Sequence, residues 1–353
     1  MNRSRLVTTA AATALAATAC ALTVPQLAGA APSAPAPTAK VSDSTAVGVH
    51  NAYEKDKYGY FADALDSGAS LLELDVWTSV FGSGWRVAHN NPIGSDNNCE
   101  NASSPDELRT KPRNQSLGGC LADMRAWHEA HPDHAPVTIK VEMKDGFYGK
   151  ADRGPAQLDA LLTEKLGDAL YRPADLAGDH ANLDEAVRAG AWPDRSALAG
   201  KFVFELIPGT VEEGNPADDL WTDREYATHL RDLAAAGRLG EAGAFPAVHG
   251  AEKGDPRESR YAEDLRGWFV FFDGDASAYA AGDIDTGWYR ERGYLVVMTD
   301  AHKVAQEIDA TNPTEQQARD RVTQLAGANA SYVTSDWYPL PSVLSLVVPR
   351  GEG

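Results

Sequence analysis

Short β-branched or aromatic runs recur along this chain, and many of them end on a polar residue. Thr45–Val49 precedes His50, Leu71–Val76 carries Glu73 and Asp75, Trp85–Ala88 precedes His89, and Val137–Met143 carries Glu142. Lys201–Leu206 carries Glu205, and Phe245–Val248 precedes His249. Trp268–Phe272, Leu295–Thr299 and Tyr332–Ser335 lead into Asp273, Asp300 and Asp336. Helical patterns separate many of the runs, over Leu117–His131, Pro155–Tyr171, Ala217–Ala236 and Pro313–Gly327. Strands alternating with helices imply a parallel sheet with helical crossovers. Eight or nine strands, with no GxGxxG after the first, favour an α/β chain closed as a single (β/α)8-type, TIM-like barrel, regular or distorted. The run at Trp85–Ala88 is then a short strand or hairpin beside the second barrel strand. Barrel enzymes place their chemistry at the carboxyl ends of the strands, where these polar residues fall.

The barrel does not need all 353 residues. Residues 1–30 read as a signal peptide: Arg3 and Arg5 supply positive charge, Leu6 to Leu22 an apolar stretch, and Ala28-Gly29-Ala30 a small-x-small cleavage pattern. Residues 31–43 read as an Ala/Pro-rich linker and residues 44–353 as one catalytic domain. No stop-transfer flank follows the leader, so a secreted, extracellular protein with no transmembrane segment is expected. The net charge of −19 includes the two leader arginines and no leader acid, so the mature chain carries −21. So acidic a surface argues against a nucleic-acid partner and against electrostatic capture by anionic lipid. It tolerates a bound divalent cation. Cys99 and Cys120 are the cysteines left after signal removal, an even count in an oxidising compartment, and a disulfide between them is expected. A monomer is the default for a secreted barrel.

Within Leu71-Leu72-Glu73-Leu74-Asp75-Val76-Trp77, strand geometry points Glu73 and Asp75 to the same side and Leu72, Leu74 and Val76 to the other. The apolar set would face the helices and the two carboxylates the barrel interior. Two like charges there are costly unless a cation or proton sits between them; the bland alternative is a pair satisfied by buried Lys or Arg. Glu142 obeys the same logic, sharing a strand face with Lys140 and Lys144. Three carboxylates and one amide, with no free thiol, form an oxygen-rich donor set that suits a hard cation such as Ca2+ better than zinc. His50 and His89 then remain for acid–base work. Two imidazoles beside an oxygen-bound cation suit phosphodiester cleavage.

In order and spacing, His50-Asn51, Glu73-Leu74-Asp75, His89 and Glu142 resemble the phosphoinositide-specific phospholipase C superfamily. The chain is more specifically similar to the actinobacterial, secreted calcium-dependent phosphatidylinositol-specific phospholipase C group. That likeness rests on His50-Asn51-Ala52-Tyr53, Leu72-Glu73-Leu74-Asp75-Val76-Trp77, His89, Cys99, Cys120-Leu121, Trp127, His131-Pro132 and Val141-Glu142-Met143-Lys144-Asp145. The resemblance implies calcium held by Asn51, Glu73, Asp75 and Glu142, with Glu73 or Asp75 as the base for an attacking inositol 2-hydroxyl. It implies that His50 stabilises the phosphorane and His89 protonates the diacylglycerol oxygen, by way of a cyclic phosphate. Lys144 is expected to contact phosphate, and Trp337 and Tyr338, beside Asp336, to form a ring-binding rim. The substrate is then phospholipid at a membrane surface, met through apolar rim residues; Phe81, Trp85, Phe147 and Tyr148 stand near strand ends and could serve, although core or loop packing is the more ordinary role for most of them.

Three other readings compete. A glycerophosphodiester phosphodiesterase uses a similar order on the same barrel, but with His-Arg after the first strand, where this chain has His50-Asn51. A catalytically inactive barrel binding inositol or calcium would be expected to have lost part of the set. A carbohydrate hydrolase using Glu73, Glu142 or Glu205 would leave the histidines without work.

Overall fold

The structure is a computed structural model that describes residues 39–78, 84–216, 218 and 220–352. The signal peptide, most of the linker and Phe81 lie outside those residues. Ten strands are present among them: β1 (Ser44–Val49), β2 (Leu71–Trp77), β3 (Arg86–Val87), β4 (Val137–Met143), β5 (Phe202–Pro208), β6 (Ala244–His249), β7 (Phe271–Asp275), β8 (Leu295–Thr299), β9 (Tyr332–Ser335) and β10 (Val347–Pro349). Eight of them, all but β3 and β10, pair in parallel in chain order, and β1 pairs with both β2 and β9. The sheet therefore closes as the expected (β/α)8-type barrel. β3 is the short extra strand, antiparallel to β2.

The closure between β1 and β2 is short, with Gly48 opposite Leu71 and Val49 opposite Leu72. Below it, β10 runs antiparallel along Ser44, Thr45 and Ala46. A side chain on Gly48 would put its Cβ 2.8 Å from Leu71 Cβ and 2.9 Å from Thr334 Cγ2, so the seam needs glycine. Arg350 follows β10 and is buried, donating from its guanidinium to the carbonyls of Ser42, Tyr294 and Asn329. Residues 40–43, read as the end of the linker, already belong to the packed body. Val41 is buried and its N–H donates to Pro193 O at 3.1 Å.

Helices Leu117–Ala130, Pro155–Leu166, Thr222–Ala235 and Glu315–Gly327 occupy the expected crossovers. In the third, Tyr226, Ala227, Leu230 and Leu233 form a buried stripe at helical spacing. The helix begins at Thr222, where the buried Glu212 carboxylate accepts from Thr222 N at 2.8 Å; Ala217, the expected start, lies outside the described residues. Cys99 and Cys120 form the expected disulfide.

Candidate active site

Strand register builds the site in layers. Glu73 on β2 lies beside Lys140 on β4, which lies beside Glu205 on β5. One layer nearer the carboxyl ends, Asp75 lies beside Glu142. Leu72, Leu74 and Val76 are fully buried on the outer face of β2, under the helices, as the alternation requires. Glu73, Asp75, Lys140 and Glu205 are buried in the interior.

Carboxylates of both layers converge in a way that suits a cation. Glu73, Asp75 and Glu142 each offer an oxygen within 4.8 Å of the others. Asn51 takes a left-handed backbone (φ 49°), which asparagine tolerates. Its N–H donates to Glu73 Oε2 at 3.2 Å, while its own buried Oδ1 accepts no hydrogen bond from any described residue. Both Asp75 oxygens are buried and lack hydrogen bonds in the same way. Four oxygen donors, two residues of them with orphaned buried acceptors, fit the oxygen shell of calcium.

Lysines answer part of this charge. Lys140 Nζ lies 3.2 Å from Glu73 and 2.9 Å from Asp273, and Lys144 Nζ lies 2.8 Å from Glu142 and 3.3 Å from Asp75. The bland reading of carboxylates met by buried lysines is thus half true, but it does not close the account. Burial, and then Asp273, push Glu205 well above the ordinary carboxyl range. The four carboxyl groups of Glu73, Asp75, Glu142 and Asp273 share only two lysine ammoniums. Burial, followed by the Glu142 and Glu73 charges, drives Asp75 upward too, the electrostatic mark of like charges crowded together. Glu73 moves the other way: burial raises it, but Lys140 and His50 outweigh burial and hold it down.

His50 stands at the end of β1 with Nδ1 3.2 Å from Asp336 Oδ1 and Nε2 3.7 Å from Glu73 Oε2. Burial works against its charge, but Glu73 and then Asp336 prevail and hold its pKa up at about 9. His89 follows β3, half exposed, with Nδ1 3.6 Å from Glu54 Oε1. His50, Glu73 and Glu142 line a cavity of about 160 Å3, whereas His89 lines a second cleft of about 530 Å3 with Tyr53 and Glu54.

Several expected residues stand elsewhere. Trp337 is fully buried, with its Nε1 directed at Asp309 O, and cannot form a rim. Tyr338 packs edge-on against Tyr58 at 5.9 Å. The Lys144 ammonium, expected at phosphate, is shared here by Asp75 and Glu142. Asp336, grouped with the rim, serves His50 instead. Trp85 and Phe147 pack edge to face on each other, and the Tyr148 ring lies under Arg153. Conversely, His249, Asp273, Thr210 and Asp300 line the cavity without having been assigned to it. Three of them are polar residues at strand ends, the one signal the sequence carried for them. Thr210 reaches Glu142 because Gly209 lets the ends of β4 and β5 touch: a Cβ there would lie 2.5 Å from Lys144 Cα.

Comparison with known proteins places this geometry. A solved Ca2+-dependent phosphatidylinositol-specific phospholipase C from Streptomyces antibioticus is 64% identical, aligns with 88% of this chain and 99% of its own, and superposes with a TM-score of 0.87. The chain belongs to the calcium-dependent phosphatidylinositol-specific phospholipase C family. The model of the family "Phosphoinositide phospholipase C, Ca2+-dependent" matches residues 106–231, a stretch that includes Glu142. A calcium-dependent phosphoinositol-specific phospholipase C from a Gram-negative Pseudomonas sp. shares the fold at 21% identity, with a TM-score of 0.66 over 90% of this chain and 99% of that one. No curated protein sequence matches.

Proposed function

We propose that this family member is a secreted enzyme cleaving phosphatidylinositol to diacylglycerol and inositol phosphate, by way of a cyclic phosphate. The observation that carries the reading is the meeting of Glu73, Asp75 and Glu142 oxygens, with Asn51 bonded through its N–H to Glu73, buried acceptors on Asn51 and Asp75, and His50 beside Glu73. Calcium is the cofactor this donor set fits; when bound, it supplies charge that screens the phosphodiester and favours ionisation of a neighbouring hydroxyl.

The rest is done by the chain's own groups. Glu73 or Asp75 takes the proton of the inositol 2-hydroxyl as its oxygen bonds to phosphorus. His50, oriented through Nδ1 by Asp336, donates from Nε2 to a phosphoryl oxygen. His89 delivers a proton to the diacylglycerol oxygen as the P–O bond breaks. Asn51 where a glycerophosphodiesterase has arginine leaves the phosphate to the cation.

The membrane is met by apolar side chains. Among the described residues the exposed large hydrophobics are Ile93, Val211, Leu220 and Trp221. They stand in the segments that follow β3 and β5 in the chain, Val211 on the short helix Thr210–Glu213. On a chain this acidic, insertion of such residues supplies what charge attraction cannot. No helix among the described residues is long and apolar enough to cross a membrane.

Titrating calcium into the enzyme on phosphatidylinositol, with product identification, tests the reading. Diacylglycerol and a cyclic inositol phosphate should appear only with calcium. Release of glycerol from glycerophosphoinositol, with phosphatidylinositol untouched, would reassign the chain to the glycerophosphodiesterases. Amino-terminal sequencing of protein from the culture medium tests secretion, with cleavage expected after Ala30.

A further inference from the structure

Both imidazoles trace back to one buried ammonium. Lys57 Nζ lies 2.6 Å from Asp336 Oδ1, 3.1 Å from Glu54 Oε2 and 2.8 Å from His50 O. An ammonium has three protons, and these acceptors engage all of them. The same Asp336 oxygen lies 3.2 Å from His50 Nδ1, and the other oxygen of Glu54 lies 3.6 Å from His89 Nδ1. The Lys57 side chain is 9% exposed, against 45% for His50 and 47% for His89, so the lysine is the fixed point of the chain of contacts. Its backbone is fixed too. Lys57 N and Tyr58 N donate to Glu54 O, and Asn98 Nδ2 spans the carbonyls of Ala52 and Tyr58.

We propose that Lys57 is a positioning residue that aims His50 through Asp336 and His89 through Glu54, so that the two imidazoles act as one unit. The proposal rests on the reading of those histidines given above. A carboxylate orients an imidazole only while its own direction is set, and here both carboxylates take their direction from one cation. Without it, two neighbouring anions repel each other and turn toward water, and both rings lose their aim together. Unlike Lys140 and Lys144, Lys57 pairs with none of the four cation ligands, so its removal leaves the calcium site in place.

Lys57→Met, similar in volume and uncharged, tests this in the calcium-loaded protein. Its kcat on phosphatidylinositol vesicles should fall about 100-fold while KM changes less than about threefold, as for misaimed catalytic groups. Calcium should still raise its melting temperature, and NMR of the imidazole nitrogens should show both rings altered. Lys57→Arg, which can span the same two carboxylates, should recover most of the rate. A kcat within about threefold of the parent's, or a change confined to one ring, overturns the proposal. Should Lys57→Met fail to fold, Glu54→Gln, Asp336→Asn and their double variant decide. A joint loss well below the product of the single losses supports coupling through Lys57, and a joint loss equal to it refutes coupling. If the parent leaves phosphatidylinositol uncleaved, the functional reading fails, while the ring spectra still judge Lys57.

Discussion

Asp75 and Glu142 stand side by side on adjacent parallel strands, inside the barrel, with one Lys144 ammonium reaching both. Like charges in register destabilise a sheet. A bound cation would complete the layer, and the consequences are measurable.

Calcium should raise the melting temperature, and at a hundredfold excess over its dissociation constant the stabilisation would be about 2.7 kcal/mol. Asp75→Asn should melt higher than the parent in chelator and gain little from added calcium. Calorimetry of both proteins with and without calcium checks this; a parent transition unmoved by calcium counts against the site.

His50→Ala and His89→Ala should each lower turnover by about 10²–10⁴-fold, the usual range for a lost general acid or base. Their circular dichroism and melting curves should stay close to the parent's. Activity within a fewfold of the parent removes that histidine from the mechanism.

Reducing the Cys99–Cys120 bridge should destabilise the fold more than it alters chemistry. The bridged residues are 21 apart, for which loop-closure arguments allow about 3 kcal/mol. Melting with and without reductant, beside an activity assay on the reduced protein below its transition, separates the two effects.

His134 predicts how stability depends on acid. The ring is buried, with Trp127 and Phe202 each 4.8 Å away between centroids. Its Nδ1 is 2.7 Å from Ala135 O, and its buried Nε2 has no hydrogen-bond partner among the described residues. Burial lowers its pKa from 6.5 to about 4. The unfolded chain therefore binds a proton that the folded one refuses. This contribution to stability is complete above pH 6.5 and is lost as the pH falls toward 4. Melting temperatures across that window should show the decline, and His134→Phe should flatten it.

Much of this was legible in the sequence because strand alternation is a rigid code. Once Leu72, Leu74 and Val76 are assigned to the helices, Glu73 and Asp75 have nowhere to go but the interior. The order of His50-Asn51, Glu73, Asp75, His89 and Glu142 then gave the family. What alternation does not carry is distance across the barrel. It gave no reason to place Trp337 in the core, or to pair Asp336 with His50, which lies 286 residues earlier in the chain. Lys57 was hidden for the same reason: its sequence neighbours name Glu54 but not Asp336. Lys140 and Lys144 were visible on the right face, yet their exact partners follow from register, which single strands do not reveal.

The way β10 closes the lower seam bears on the order of assembly. β10 pairs with Ser44, Thr45 and Ala46 at the amino end of β1, below the two-residue contact with β2, and Arg350 behind it ties Ser42 to Tyr294 and Asn329. A nascent polypeptide lacking residues 347–352 keeps the β1–β2 and β1–β9 pairings but loses that support, and a premature stop there would be expected to yield protein that resists proteolysis less well.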